Sequence, residues 1–181
     1  MKDKIVVIEG PSGVGKDSII SGLISKYPSE FEKIVSVTTR EMRPYEAQGN
    51  PYIFVADKKF DKMVKEGDIF EYTMRHGTKR GMSEKYINDI LDKDKIPLKD
   101  CDIVGVEALR TKFKNVLTFF ITASKAEIEQ RMRKRGDKED DIKTRLDDYD
   151  RYMEEARHYD YIVENKDLDK VIAQIYKIIY N

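Results

Sequence analysis

Apolar residues occur along this chain in two alternating patterns, short unbroken runs and stripes of helical period. Lys4 to Glu9 reads KIVVIE, a β-branched run that predicts a buried strand. It leads straight into Gly10-Pro11-Ser12-Gly13-Val14-Gly15-Lys16. After that, Ile19, Ile20, Leu23 and Ile24 mark one face of a helix running to Lys26. Residues 33–38 predict a second strand, 39–50 a polar loop and 52–55 a short strand. A helix from Asp57 stops at Gly67, a residue suited to the left-handed position after a helix end. Residues 69–73 predict a strand, and Gly77 and Gly81 bracket a turn and short strand. Ser83 can cap a helix carrying Tyr86, Ile87, Ile90 and Leu91. A weaker strand spans 96–102, with Pro97 tolerable near its start. A helix to about Lys112, a strand over 115–122, and a helix over 123–135 broken by Gly136 follow. Residues 161–163 form the last short strand and 167–180 a closing amphipathic helix.

Strands alternating with helices predict an α/β fold: a parallel sheet with right-handed crossovers and helices on both faces. The closely spaced strands and turns from about 38 to 94 read as an inserted lobe within one domain of 181 residues.

Composition narrows the classes. Lys+Arg and Asp+Glu both number 34, so the net charge is zero. That argues against a general nucleic-acid binder, which is usually basic. Charged residues make up 38% of the chain, above the roughly 25% of a typical domain. The excess must coat helices, most densely over 131–160. Cys101 is the single cysteine, so no disulfide forms within the chain, which suits a reducing cytosol. The opening apolar run IVVI is too short for a signal peptide, and no run approaches the roughly 18 residues of a membrane span. The expectation is a soluble, cytoplasmic protein with no membrane partner. Nothing in the sequence addresses its oligomeric state.

Gly10-x-x-x-x-Gly15-Lys16 is a Walker A pattern, lacking only the Ser/Thr directly after the lysine. Its glycines let backbone N–H groups curl around an anion, and the helix that follows adds its positive dipole end. This assigns ATP to Gly10, Pro11, Ser12, Gly13, Val14, Gly15, Lys16, Asp17 and Ser18, with Lys16 on the β- and γ-phosphates. The competing reading is a glycine-rich strand-to-helix turn without a ligand. Mg²⁺ would accompany ATP, held by the Asp17 carboxylate or by the Ser18 hydroxyl one position on.

Ser36 to Glu46 reads SVTTREMRPYE, followed by Gly49 and Tyr52. Arg40 and Arg43 can clamp one phosphate from two sides, because each guanidinium offers a bidentate fork. Alone, this stretch reads equally well as two solvated arginines in a surface loop.

Nearly end to end, the chain resembles guanylate kinase, a P-loop enzyme family that moves the γ-phosphate of ATP to GMP. GPSGVGK resembles the family's phosphate loop, and Ser36 to Tyr52 its GMP-phosphate segment. FDKMVKEGDIFE, ending at Glu71, resembles the helix and strand that carry its guanine-reading glutamate. Arg131-Met132-x-x-Arg135-Gly136 and Ile142-x-x-Arg145-Leu146 resemble its lid, and the stretch from Tyr161 to Leu168 its adenine-side segment.

The resemblance implies a P-loop three-layer fold. Its core would be about 1–35, 95–125 and 150–181, its acceptor lobe about 36–94 and its lid about 126–149. It implies that Ser36, Arg40, Arg43, Tyr52 and Glu71 bind GMP, Glu71 at the base edge. Asp100 and Asp102 fall on the family's Asp-x-Asp pair, and Asn165 on its adenine-side asparagine. Arg131, Arg135 and Arg145 would join Lys16 and Arg40 in catalysis by closing over the phosphates. Arg131 and Arg135, four apart, share a helix face. Set against that is a salt-bridged helix surface.

Some positions depart from the family pattern. Arg80-Gly81-Met82 stands where the family has Tyr-Gly-Ser/Thr. Arg80 can serve the GMP phosphate by charge, but Met82 has no hydroxyl for the base. Met42 and Tyr45 replace a usual proline and glycine. Gly-Lys-Asp-Ser also resembles ribose 1,5-bisphosphate phosphokinase, a relative without the full arginine segment. The third reading is a guanylate-kinase-like module that binds proteins without catalysis; the complete set of basic residues speaks against it. His76 and His158 are isolated and read as structural or surface residues. Tyr149, Tyr152, Tyr159 and Tyr161 read as helix packing, and Cys101 as buried.

Overall fold

The computed structural model describes residues 3–75 and 77–181, so His76 lies outside the described residues. In chain order the first half runs β1 (Lys4–Glu9), α1 (Lys16–Lys26), β2 (Phe31–Lys33), β3 (Val37–Thr38), β4 (Ile53–Phe54), α2 (Asp57–Lys65), β5 (Ile69–Arg75), β6 (Thr78–Ser83) and α3 (Glu84–Leu91). The second half runs β7 (Ile96–Lys99), α4 (Ile103–Lys112), β8 (Asn115–Thr122), α5 (Lys125–Arg135), α6 (Glu139–Asp147), α7 (Tyr149–Glu155), β9 (Tyr161–Glu164) and α8 (Leu168–Tyr180).

Five strands form one sheet in the order β2-β7-β1-β8-β9. Every pairing in it is parallel. The central strand explains its own sequence: Val6 and Ile8 enter one core cluster, Ile5 and Val7 the other. A strand covered on both faces must be apolar throughout, which is why KIVVI does not alternate. α1 and α8 cover one face with Ile19, Ile20, Leu23, Val171, Ile172 and Ile175. α3 and α4 cover the other with Ile87, Ile90, Val106 and Leu109.

A second sheet, β4-β3-β6-β5, is mixed. β3 runs parallel to β4 and antiparallel to β6, which runs antiparallel to β5. The one strand predicted at 33–38 is therefore two. The chain leaves the first sheet after Lys33, with Ile34 N–H donating to the Leu98 carbonyl at 2.8 Å, and joins the second sheet at Val37. Gly81 lies inside β6 rather than at a turn edge. A Cβ there would stand 2.6 Å from the Glu71 carbonyl oxygen, so only glycine lets β5 and β6 approach. The strand predicted at 96–102 stops at Lys99, because Asp102 caps α4 by accepting from Gly105 N–H at 3.1 Å.

The charge-dense run folds as α5, α6 and α7, which bury little beyond Ile128, Met132 and Ile142. Ser124 and Glu127 form a capping box at the start of α5, and Gly136 ends it at φ 86°. Three of the four tyrosines pack as expected, whereas Tyr161 lies on β9, half exposed, against its neighbouring strand rather than a helix. Tyr149 Oη donates to the Ala123 carbonyl at 2.9 Å, Tyr152 and Tyr159 enter the second cluster, and Tyr161 stacks on Phe119 at 5.3 Å.

Candidate active site

β1 ends at Glu9, and the loop to α1 closes as a tight anion cradle. Gly10 takes φ 150°, and a Cβ there would fall 2.2 Å from the Ile121 carbonyl oxygen. Gly15 takes φ 104° and starts α1 with no side-chain cap, leaving the first helical N–H groups directed into the loop. The Lys16 ammonium donates to the carbonyls of Gly10 and Pro11 and lies 3.8 Å from a Glu9 oxygen.

A clamp from distant elements fixes the loop. The Val14 carbonyl accepts from Arg131 at 3.0 Å and from the buried Asn165 amide at 2.7 Å. Arg131 also donates to the Asn165 carbonyl at 2.6 Å. Asn165 thus turns its amide to the loop backbone, against Gly15. Asp17 points outward: its side chain is 86% exposed and lies 3.6 Å from Lys33, which is 4.0 Å from Asp100. Ser18 is exposed beside it.

Next to the loop, between the carboxyl ends of the first sheet and the second sheet, lies a cavity of about 700 Å³. Ser36, Arg40, Tyr52, Glu71, Arg80, Asp100 and Asp102 all line it. Arg43 does not; it is exposed and donates to Tyr45 Oη at 2.8 Å. The Arg40 guanidinium is held in a fork by Glu46 at 2.7 and 3.0 Å. That hydrogen bond raises the Arg40 pKa and lowers that of Glu46. Arg40 and Arg80 stand 5.5 and 4.7 Å from the centre of the Tyr52 ring. These two cations and a phenol mark one part of the wall as anion-seeking.

Glu71 marks another part. Burial, then the nearby Asp102, raises its pKa, while Lys99 and Arg80 pull it down. Two further charges in the wall carry no motif. Glu9 is buried, and desolvation pushes its carboxyl up to about 7 against the pull of Lys16. Lys99 is buried, donates to Ser36 Oγ at 2.7 Å, and has its pKa lowered by burial. Each is the charged last residue of an apolar core strand, and that is the signal by which sequence could have found them. Cys101 lines the same cavity, with its thiol pKa raised by burial.

The basic residues of the helical arm separate. Arg131 faces the loop, whereas Arg135 and Arg145 both bond the Asp137 carboxylate, Arg145 at 2.8 Å. Among the described residues no three His, Cys, Asp or Glu side chains gather as a metal site, and no helix is long and apolar enough to cross a membrane.

The guanylate kinase family model matches residues 2–181. The guanylate kinase of Rickettsia prowazekii is 34% identical over 180 residues, covering 98% of this chain and 91% of that one. That of Thermotoga maritima is 31% identical over 181 residues, covering 99% and 87%. Among solved structures, guanylate kinase from Anaplasma phagocytophilum superposes with a TM-score of 0.69 at 26% identity, over 98% of this chain and 84% of that one. With a phosphate loop, an acidic and basic acceptor cavity, and a match along essentially its whole length, the chain belongs to the guanylate kinase family.

Proposed function

We propose that the protein transfers the γ-phosphate of ATP to GMP, with ATP on the phosphate loop and GMP in the adjoining cavity. One observation carries this reading. Glu9 contacts Lys16 of the loop and also lines the cavity, so the two sites share a wall. A γ-phosphate on Lys16 and an acceptor phosphate in the cavity then meet without the chain having to bring distant parts together.

Phosphoryl transfer asks for alignment and charge neutralisation more than covalent help from the protein. Arg40, Tyr52 and Arg80 hold the GMP phosphate, and Glu71 accepts from guanine N1–H and the 2-amino group. A phosphate oxygen attacks the γ-phosphorus, the bond to the β-phosphate oxygen breaks, and ADP leaves with that oxygen. Lys16 turns from the Gly10 and Pro11 carbonyls to the transferring phosphate. Segment 36–94 acts as the acceptor lobe. Segment 126–149 acts as a lid whose Arg135 and Arg145 reach the phosphates and keep water out.

Mg²⁺ suits this site as an ion held mainly by substrate. It commonly takes one or two protein contacts plus phosphates, and the wall offers hydroxyl and carboxylate oxygens but no dedicated cage. The Ser18 hydroxyl, rather than the outward-pointing Asp17 carboxylate, would hold it, and it would neutralise charge on the β- and γ-phosphates.

The test is a coupled assay over GMP, IMP, AMP and ribose phosphates, with Glu71→Gln beside the unmutated protein. Loss of a hydrogen bond to a charged group should lower kcat/KM for GMP roughly ten- to hundredfold. IMP, without the 2-amino group, should lose less and AMP almost nothing. Equal losses for GMP and AMP would show that Glu71 supports the second sheet and does not read the base.

A further inference from the structure

We propose that Lys99 is a specificity-determining residue: its ammonium donates to the oxygen at position 6 of the guanine ring. The inference rests on GMP as the acceptor. Lys99 closes β7, is 4% exposed, and lines the acceptor cavity. Its ammonium has three donors, and the hydrogen bond to Ser36 Oγ at 2.7 Å uses one. Among the described residues it has no carboxylate ion-pair partner. A buried ammonium so poorly compensated is costly to keep, and an incoming acceptor atom removes the cost.

Which acceptor it meets follows from its neighbours. The anion-seeking part of the wall is Arg40 and Arg80 beside Tyr52. Lys99 bonds Ser36, and strand register sets Ser36 one step before Val37, which pairs with Gly81, so Ser36 stands level with Met82 and its partner Glu71, while Thr38 pairs with Arg80 one row on. Along its pairing edge guanine presents the 2-amino donor, the N1–H donor and then the O6 acceptor. The complement is two acceptor oxygens followed by a donor, which Glu71 and Lys99 supply. Met82 is buried in the same wall and has no hydroxyl to offer O6. Adenine puts an amine at position 6. An ammonium has no acceptor for it, so Lys99 rejects adenine as Glu71 does, by leaving a buried polar group unpaired.

The experiment compares kcat/KM for GMP, IMP, 6-thio-GMP and AMP, with unmutated protein and Lys99→Met, which keeps the length but removes the donors. GMP and IMP both keep O6 and should fall roughly ten- to hundredfold, the range for a charge-assisted hydrogen bond. 6-Thio-GMP presents a weakly accepting sulfur and should fall far less. AMP should hold or gain, and the KM for ATP should not move. An equal fall for all four overturns the proposal, since it is what loss of support for Ser36 would produce. The unmutated protein supplies a test that needs no variant to fold: acceptance of 6-thio-GMP as readily as GMP also overturns it. A protein that leaves GMP unphosphorylated overturns the functional reading as well, whereas GMP turnover with no Lys99→Met discrimination overturns this inference alone.

Discussion

Glu9→Gln should make the protein more stable, by a margin that opens above about pH 4.5 and is complete above about 7. Glu9 is 7% exposed at the end of the central strand. Desolvation dominates its environment; Lys16 and the Gly10 N–H oppose it, while Asp100 and Asp102 add to it. The carboxyl is pushed from 4.5 to about 7. An acid whose folded pKa is raised favours folding below its unfolded pKa, and that contribution disappears as pH climbs through the folded value. The window is therefore about 4.5 to 7. At about 1.4 kcal/mol per pH unit, the ionised carboxylate costs roughly 3 kcal/mol once both states are charged. Glutamine keeps the shape and never ionises. Unfolding should be followed at pH 4.5, 6, 7 and 8. Variant and parent should coincide at the lowest pH, diverge through 6 and 7, and differ by a constant roughly 3 kcal/mol above. In a chain of this size that is a rise in Tm of about 6–12 °C. A gap that is the same at every pH, or a parent more stable at pH 8, would refute the reasoning and mean that the Lys16 attraction outweighs burial.

Three other outcomes follow. Lys16→Ala should fold normally, as among the described residues its ammonium meets loop carbonyls and Glu9 and no core group, and should lower kcat at least about a hundredfold; parent-like turnover would remove Lys16 from the chemistry. Asp17→Ala should leave the Mg²⁺ and ATP titrations within about twofold and stability within about 1 kcal/mol, as for an exposed pair such as Asp17 and Lys33; a raised Mg²⁺ requirement would put the carboxylate in the metal shell. Gly15→Ala should lower stability by roughly 1–3 kcal/mol in a thermal melt, because φ is 104° and the new methyl would stand 2.6 Å from the Asn165 amide nitrogen.

Much of the fold was legible because its parallel strands are apolar on both faces and its helices on one. The phosphate loop was legible because its glycines follow a strand and precede a helix. The second sheet was harder: β3 and β4 are two residues each, too short to show a period. Its frame depends on the chain changing sheets at 34–36, a tertiary event. Sequence motifs point to Arg40, Tyr52 and Glu71 in the cavity wall, whereas none points to Lys99 or Glu9. A single charge ending an apolar run looks like ordinary strand punctuation. Only its position at the carboxyl end of a core strand, facing the crevice, gives it a role. Nor could local pattern show that Val14 is gripped from 117 and 151 residues away.

That grip also divides the arginines that sequence grouped together. Arg131 bonds two main-chain carbonyls in a part-buried setting, so it ties α5 to the loop. Arg135 and Arg145 share the single carboxylate of Asp137, with side chains 56% and 40% exposed. Arg135 grips Asp137 with two donors and Arg145 adds a third, so the carboxylate is only 14% exposed although both guanidinium groups reach solvent. Triphosphate oxygens carry more charge than one carboxylate and present the same geometry to a guanidinium fork. Exchange from Asp137 to phosphate keeps a charged partner on each guanidinium, whereas moving Arg131 would take hydrogen bonds from two main-chain carbonyls and put no anion in their place. The arm therefore has one root held by buried backbone, at Arg131, and two guanidinium groups held by a single carboxylate, at Asp137.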